Sequence, residues 1–306
     1  MATDVPLAIV GPTASGKTQA AIAVAGAIGA EIVSVDSMLL YRGMDVGTAK
    51  PTAEERGGVP HHLIDVAEPS EPFSVARYQR LALEAVRRVR ERGRSALLVG
   101  GSGLYFRAVV DELAFPGTDP RTRTALEAEA AAVGAAALHA RLTDLDPVAA
   151  GRIQPENVRR TIRALEVAAV TGRPFSSFAQ AWELFPPERV RAAGIEIARP
   201  ALAERIRRRV DAMLERGLLD EVATLVRNGL GAWLTASQAI GYAEFARHLA
   251  GEITLAEAVE GTVRRTKELA RRQMVWFRRD PRIRWFRAGA DGASELTDRL
   301  VGYLDG

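Results

Sequence analysis

The residues best placed to do chemistry are Gly11, Pro12, Thr13, Ala14, Ser15, Gly16, Lys17 and Thr18. Their order fits G-x-x-x-x-G-K-[ST], the phosphate-binding loop. Gly11 and Gly16 let the backbone curl so that its N–H groups converge on one anion, and a helix N-terminus adds partial positive charge. Lys17 can then reach a terminal phosphate, and the Thr18 hydroxyl can hold a magnesium ion. A second candidate is Asp36, at the end of the apolar run Glu31–Val35. An acid at a strand end can hold magnesium, or it can take a proton from a substrate. Ser102 lies in the turn Gly100-Gly101-Ser102-Gly103, which delivers backbone amides and a hydroxyl.

These residues need elements to position them, and the pattern around each supplies one. Val5–Val10 reads as a buried strand before the loop, and Gln19–Ala25 as the opening of a helix after it. Strand–loop–helix is the context that gives the glycine motif its meaning. A second strand is expected to end at Asp36, a short one over Val59–Val66, and a buried one from Ser95 into the Ser102 turn. Ligands of open α/β sheets gather beyond the carboxyl ends of strands, so the loop and Asp36 are expected to face one crevice. Phe73–Arg92 has apolar residues at helical spacing. The pair His61-His62 suggests packing or hydrogen bonding more than metal, because the chain has four histidines and no cysteine.

From Pro116 the texture changes. Arg121–Leu142, a stretch from Asp146-Pro147, and Glu156–Val170 read as helices with no strand among them. Arg159 and Arg163, four apart, share a face with Arg160 beside them. Phe175–Pro187 is irregular. Strand texture resumes at Gly194–Ala198. Leu202–Arg216 is amphipathic, with Arg205, Arg208 and Arg209 off its apolar stripe. Thr262–Arg279 is a basic helix whose inner stripe is Leu269, Gln273, Met274 and Phe277, and Arg284–Phe286 is a last strand. The expected architecture is an α/β fold, a P-loop NTPase-like parallel sheet core with a helical insertion domain. Its divisions are residues 1–115, 116–196 (the insert) and 197–306.

Composition bounds the function. The chain has 306 residues, 47% hydrophobic and 26% charged, the balance of a soluble protein. No apolar run nears the roughly 18 residues of a membrane span. The absence of cysteine excludes disulfides and thiolate metal sites. The N-terminus has no basic segment before its apolar run, so no signal or transit peptide is expected and the cytoplasm is the expected compartment. Net charge is only +3, but the 41 basic residues include just three lysines, Lys17, Lys50 and Lys267. An arginine-rich chain that keeps lysine in its phosphate loop is using a slim point charge where a guanidinium fork does not fit. Arginines crowd the later part, which points to a polyanionic partner.

Taken in order, GPTASGKT, Asp36-Ser37, Tyr41, GTAKP at 47–51, HHLIDV at 61–66, GGSGLY at 100–105, RALEV at 163–167, IGY at 240–242 and RRQMVWFRR at 271–279 resemble the bacterial tRNA dimethylallyltransferase family. The resemblance covers essentially the whole chain. It implies transfer of a dimethylallyl group from dimethylallyl diphosphate to N6 of the adenosine 3′ to the tRNA anticodon, position 37, with release of diphosphate. The loop then holds a diphosphate, and no ATP is hydrolysed despite its nucleotide-binding motif. Mg2+ is the implied cofactor, on Thr18. The implied catalytic set is Asp36 as general base, Ser102 on the amine and Lys17 on the leaving group, with Arg205 or Arg209 adding to the diphosphate site. Asp36, Ser37, Met38, Leu39, Ser102, Arg123, Arg159, Arg160 and Arg163 match tRNA-contacting positions. The partners are the anticodon stem-loop and the prenyl donor, with no membrane and the chain a monomer.

The chain departs from the family pattern where threonine is usual at Ser102, Asn-Asp at Glu156-Asn157, glutamine at Arg159, and arginine at Lys267. Two enzymes share the loop and are the alternatives: a small-molecule kinase using ATP, and a prenyltransferase acting on free adenine nucleotides. The first leaves the basic helices unexplained; the second leaves the arginines of the insert unexplained.

Overall fold

The computed structural model describes residues 5–178 and 182–306. The four N-terminal residues, on which the leader expectation bears, and 179–181 of the irregular stretch lie outside them. In chain order come β1 (Leu7–Val10), α1 (Lys17–Ile28), β2 (Glu31–Ser34), β3 (His61–His62), α2 (Val75–Glu91), β4 (Ala96–Gly100) and α3 (Gly103–Val110). Then follow α4 (Pro120–Leu145), α5 (Pro147–Ala150), α6 (Val158–Thr171), β5 (Arg191–Ile197), α7 (Arg199–Glu215) and α8 (Leu218–Arg227). α9 (Tyr242–Leu249), α10 (Leu255–Phe277), β6 (Ile283–Ala288) and α11 (Thr297–Leu304) complete the order.

Six strands form one sheet in the order β3-β2-β4-β1-β5-β6, and every pairing is parallel. β1 is central and buried along its length, because helices cover both faces of the sheet. The pleat divides its residues between two cores. Ala8 and Val10 join Leu98 of β4 and the residues of α2, α7 and α10, while Leu7 and Ile9 join Leu97 and the residues of α1 and α11. This is a P-loop NTPase-like α/β fold. The strands feeding the site end together: Val10 pairs with Gly100 and with Gly194, so the loops after β1 and β4 leave the sheet side by side.

The chain packs as two compact units, one up to Glu112 together with Pro186–Gly306, the other Leu113–Phe185. The sequence reading places the divisions at 115/116 and 196/197. The later boundary differs because β5, read as starting at Gly194, begins at Arg191 and pairs with β1 from its first residue. In the second unit α4, α5 and α6 close over Leu126, Leu138, Leu142, Ile162 and Leu165. α4 is broken at Gly134, where φ is 82° and ψ 166°.

Three local expectations need correction. β2 stops at Ser34, so Asp36 lies in the loop beyond it rather than on its last residue. The strand expected over Val59–Val66 is only His61–His62, because Leu63 and Asp65 take left-handed φ values of 63° and 57° that no ladder accommodates. The Ser102 turn opens straight into α3, a helix of about two turns that is buried almost throughout and apolar apart from Arg107.

Candidate active site

The phosphate loop joins β1 to α1 as its sequence predicts. Gly16 caps α1 in a left-handed conformation (φ 85°) with no side chain on the first-turn amides, leaving them for an anion. The loop is braced from outside. Ala293 N donates to Ser15 O at 3.1 Å, and a Cβ on Gly16 would stand 2.7 Å from that same nitrogen. Arg205 Nε donates to Ala14 O and Nη1 to Asp291 O, both at 2.7 Å. From α10, Gln273 Oε1 accepts from Thr13 N at 2.8 Å. Lys17 Nζ donates across the loop to Pro12 O at 3.2 Å.

Two adjoining cavities lie in front of this loop. A small polar one of about 60 Å³ is lined by Lys17, Thr18, Ser34, Leu39 and His61 among others. A larger one of about 420 Å³ is lined by Ser37, Met38, Gln238, Ile240 and residues of α10 that include Arg265 and Arg272. Thr13, Asp36, Thr48 and Arg209 line both, and so stand where the two meet. Asp36 Oδ1 accepts from Met38 N at 2.8 Å, which fixes the carboxylate at the head of the loop after β2. Arg209 Nη2 donates to Thr48 O at 3.1 Å.

The charges at this junction act on one another. Burial pushes the Lys17 ammonium down to about 8; the Asp36 carboxylate opposes that shift and the Arg209 guanidinium adds to it. Burial also lowers Arg209, again against the pull of Asp36. Two cations and one carboxylate in a small enclosed volume are short of negative charge, and a polyanion would supply it.

Several expected site residues sit elsewhere. Of the two candidate arginines on α7, Arg209 lines the cavities, while Arg205 is spent on carbonyls behind the loop. Ser102 lines neither cavity. Its hydroxyl caps α3 by accepting from Tyr105 N at 3.4 Å, and its amide donates to Val35 O at 3.2 Å, tying down the backbone next to Asp36. In the second unit, Arg123 and Arg163 both reach the fully buried Glu166, at 2.6 and 2.8 Å, and Arg163 also holds Pro116 O and Gly117 O. Arg159 and Arg160 are exposed and make no ion pair among the described residues. His62 Nε2 pairs with Glu31 Oε2 at 2.7 Å and His61 Nδ1 with Val59 O at 2.8 Å, so each histidine of the pair has a hydrogen bond.

Two residues of this site have contacts that the sequence reading does not assign. Gln273 spans the phosphate loop and the turn after β4: a Cβ on Gly101 would lie 2.3 Å from its Nε2. Its signal is a polar residue on the inner stripe of a helix, where an apolar one is expected. Glu221 accepts from three amides of the 45–47 loop and has no sequence signal.

A parallel sheet with a phosphate loop after its central strand, facing an aspartate and a half-buried arginine, defines a P-loop α/β protein built to hold a polyanion beside a second cavity. The family model described as IPP transferase matches residues 39–280. A Streptomyces coelicolor protein named tRNA dimethylallyltransferase is 52% identical over 291 residues, covering 95% of this chain and 92% of its own length. One of the same name from Thermobifida fusca is 52% identical over 304 residues, covering 97% and 93%. The crystal structure of a tRNA isopentenylpyrophosphate transferase from Bacillus halodurans is similar with a TM-score of 0.70 at 42% identity, over 99% of this chain and 97% of that one. The chain belongs to the IPP transferase family.

Proposed function

We propose that this protein transfers a dimethylallyl group from dimethylallyl diphosphate to N6 of the adenosine 3′ to the tRNA anticodon, position 37. The observation that carries the reading is the junction of the two cavities: a phosphate cradle opens on one side, room for a base lies on the other, and Asp36 stands between. The names and extent of the similar proteins support it.

In this reading the N6 lone pair forms a bond to C1 of the donor while the C1–O bond breaks, its electron pair leaving with diphosphate. The Asp36 carboxylate takes the N6 proton as the amine becomes cationic. The α1 amides, Lys17 and Arg209 hold the charge that grows on the leaving group. Arg205 acts one step back, by keeping the Ala14 carbonyl turned away from the anion, and Ser102 fixes the backbone that carries Asp36. A base reaches the larger cavity only by leaving its stack, so the target adenosine is flipped out against Ser37 and Met38, with Leu39 behind them. Arg159 and Arg160 of the insert, with the exposed arginines of α10, supply contacts to the anticodon stem-loop backbone. Arg123 and Arg163 hold that segment in shape.

The donor set at the small cavity suits magnesium. Thr18, Ser34 and Asp36 offer hard oxygens there, and the Ser34 hydroxyl is buried with no hydrogen-bond partner. Thr18 would hold the ion, which when bound supplies further neutralisation of the diphosphate. No described helix is long and apolar enough to cross a membrane. A tRNA substrate supports a cytoplasmic site of action.

The test is direct. The protein is incubated with labelled dimethylallyl diphosphate, magnesium and unmodified tRNA, beside ATP-only and free-AMP controls. Label in tRNA at the adenosine 3′ to the anticodon is the expected result. ATP consumption without use of the prenyl donor, or label in AMP alone, overturns the reading.

A further inference from the structure

The loop that lines both cavities is held by a carboxylate remote from it in sequence. Glu221 lies in the first turn of α8. Its Oε2 accepts from the amides of Asp45 and Val46, each at 2.8 Å, and its Oε1 from the amide of Gly47 at 3.0 Å and the hydroxyl of Tyr242 at 2.7 Å. Three consecutive amides on one carboxylate make an anion-binding concavity occupied by a side chain of the protein itself. Such charge-assisted hydrogen bonds are the strong ones. The Tyr242 ring closes the other side of the loop: a Cβ on Gly47 would stand 2.6 Å from its Cζ. Lys50 clips the far end through Tyr41 O at 2.7 Å and the carboxylates of Asp45 and Asp65, each at 2.5 Å.

What this clamp presents to the site is the carbonyl of Thr48. That carbonyl, one residue past the last clamped amide, is the only hydrogen-bond partner of the Arg209 side chain among the described residues. A long side chain held at one point takes its aim from that point. We propose that Glu221 is a positioning residue for the prenyl donor: by fixing Gly47 and Thr48 it sets the direction in which Arg209 meets the diphosphate. The inference rests on the assignment of Arg209 to the diphosphate made above. Glu221 touches no substrate. Its effect passes wholly through the 47–48 backbone and the guanidinium.

The experiment is a double-mutant cycle on the full chain, Glu221→Ala against Arg209→Ala. It reads KM for dimethylallyl diphosphate, KM for tRNA and kcat, with the dissociation constant of inorganic diphosphate by calorimetry. Glu221→Ala is expected to raise the donor KM and the diphosphate dissociation constant about tenfold and to lower kcat as well, because Arg209 also holds the charge that grows on the leaving group, while the tRNA KM stays within about twofold. In the double variant the donor KM stays within about twofold of Arg209→Ala alone, because the second change then has nothing left to misdirect. Tyr242→Phe removes the hydroxyl but keeps the ring against Gly47 and all three amide bonds of Glu221, so its donor KM stays near wild type. Multiplying effects in the double variant, or a Glu221→Ala loss that extends to the tRNA KM, overturns the proposal. If Glu221→Ala gives no cooperative melt, Glu221→Gln carries the same cycle. Its amide NH2 facing Tyr242 releases only the Gly47 N–H, and the same non-multiplying pattern is required of it. An unchanged donor KM in Arg209→Ala alone removes the diphosphate assignment beneath the proposal. An intact Arg209 effect with none from Glu221 removes the proposal only.

Discussion

The charge state of Lys17 gives the sharpest prediction. Burial brings its ammonium from an ordinary 10.5 down to about 8, with Asp36 pulling the other way. At about 1.4 kcal/mol per pKa unit, the charged form is disfavoured in the free protein by roughly 3 kcal/mol relative to water. A diphosphate placed on the loop reverses that balance by putting negative charge beside it. The donor therefore binds the ammonium form, and binding raises the pKa again. Two consequences follow for the free protein and the complex. The kcat/KM for dimethylallyl diphosphate should fall about tenfold per pH unit above the free-protein pKa near 8, while kcat at saturating donor should hold to higher pH. Donor binding should also take up close to one proton per site at about pH 9 and almost none at about pH 6.5. Calorimetry in two buffers of different ionisation enthalpy measures that uptake. Unfolding does not mimic the effect. Between the folded value near 8 and the unfolded value near 10.5 the unfolded chain holds more protons on this lysine, so this group's contribution to stability rises with pH across that window. Lys17→Arg, which stays charged, should lose the basic limb and bind the donor poorly, because a planar fork does not fit the loop. A kcat/KM flat to about pH 9.5, with no proton uptake at about pH 9, would refute the reasoning.

Other predictions come from separate parts of the molecule. Asp36→Ala should lower kcat by about 10²- to 10⁴-fold with tRNA affinity largely kept, measured by single-turnover transfer and filter binding; turnover near wild type removes the base assignment. Arg159→Ala with Arg160→Ala should weaken tRNA binding and reduce the slope of log affinity against log salt by about 1.5 to 2, whereas an unaltered slope takes both residues out of the interface. Glu166→Ala strands Arg123 and Arg163 and should cost about 1–3 kcal/mol in urea unfolding, with the salt slope for tRNA unchanged if those arginines serve only the fold. Gly47→Ala drives a Cβ to 2.6 Å from the Tyr242 ring and should destabilise by roughly 1–3 kcal/mol while raising the donor KM.

The division between sequence and tertiary structure runs residue by residue. The phosphate loop was legible because its chemistry is contiguous: an apolar strand, two glycines at fixed spacing, a lysine and a hydroxyl need only neighbours to be understood. Asp36 was legible for a related reason, since parallel strands end on one side of a sheet and an acid just past such an end faces the loop. The resemblance across the whole chain gave the family, and the comparisons agree with it. α3, only eight residues long and buried almost throughout, left no readable helical pattern.

What folding alone decided is which distant residues complete the cradle. Arg205 and Arg209 are one helical turn apart on one face of α7 and equivalent in the sequence; where that helix lies along its own axis against the sheet sets the first behind the loop and the second, about 6 Å further on, at the cavities. Gln273 meets Thr13 from 260 positions away, and Glu221 meets Asp45 from 176. Arg163 carries the residue type its expected role requires, yet its guanidinium is engaged with a buried carboxylate and two carbonyls, and the Ser102 hydroxyl accepts from an amide in the first turn of α3. Spacing along the chain encodes what neighbours do together. A hydrogen bond across hundreds of residues has no period, and it exists only once packing has fixed both partners.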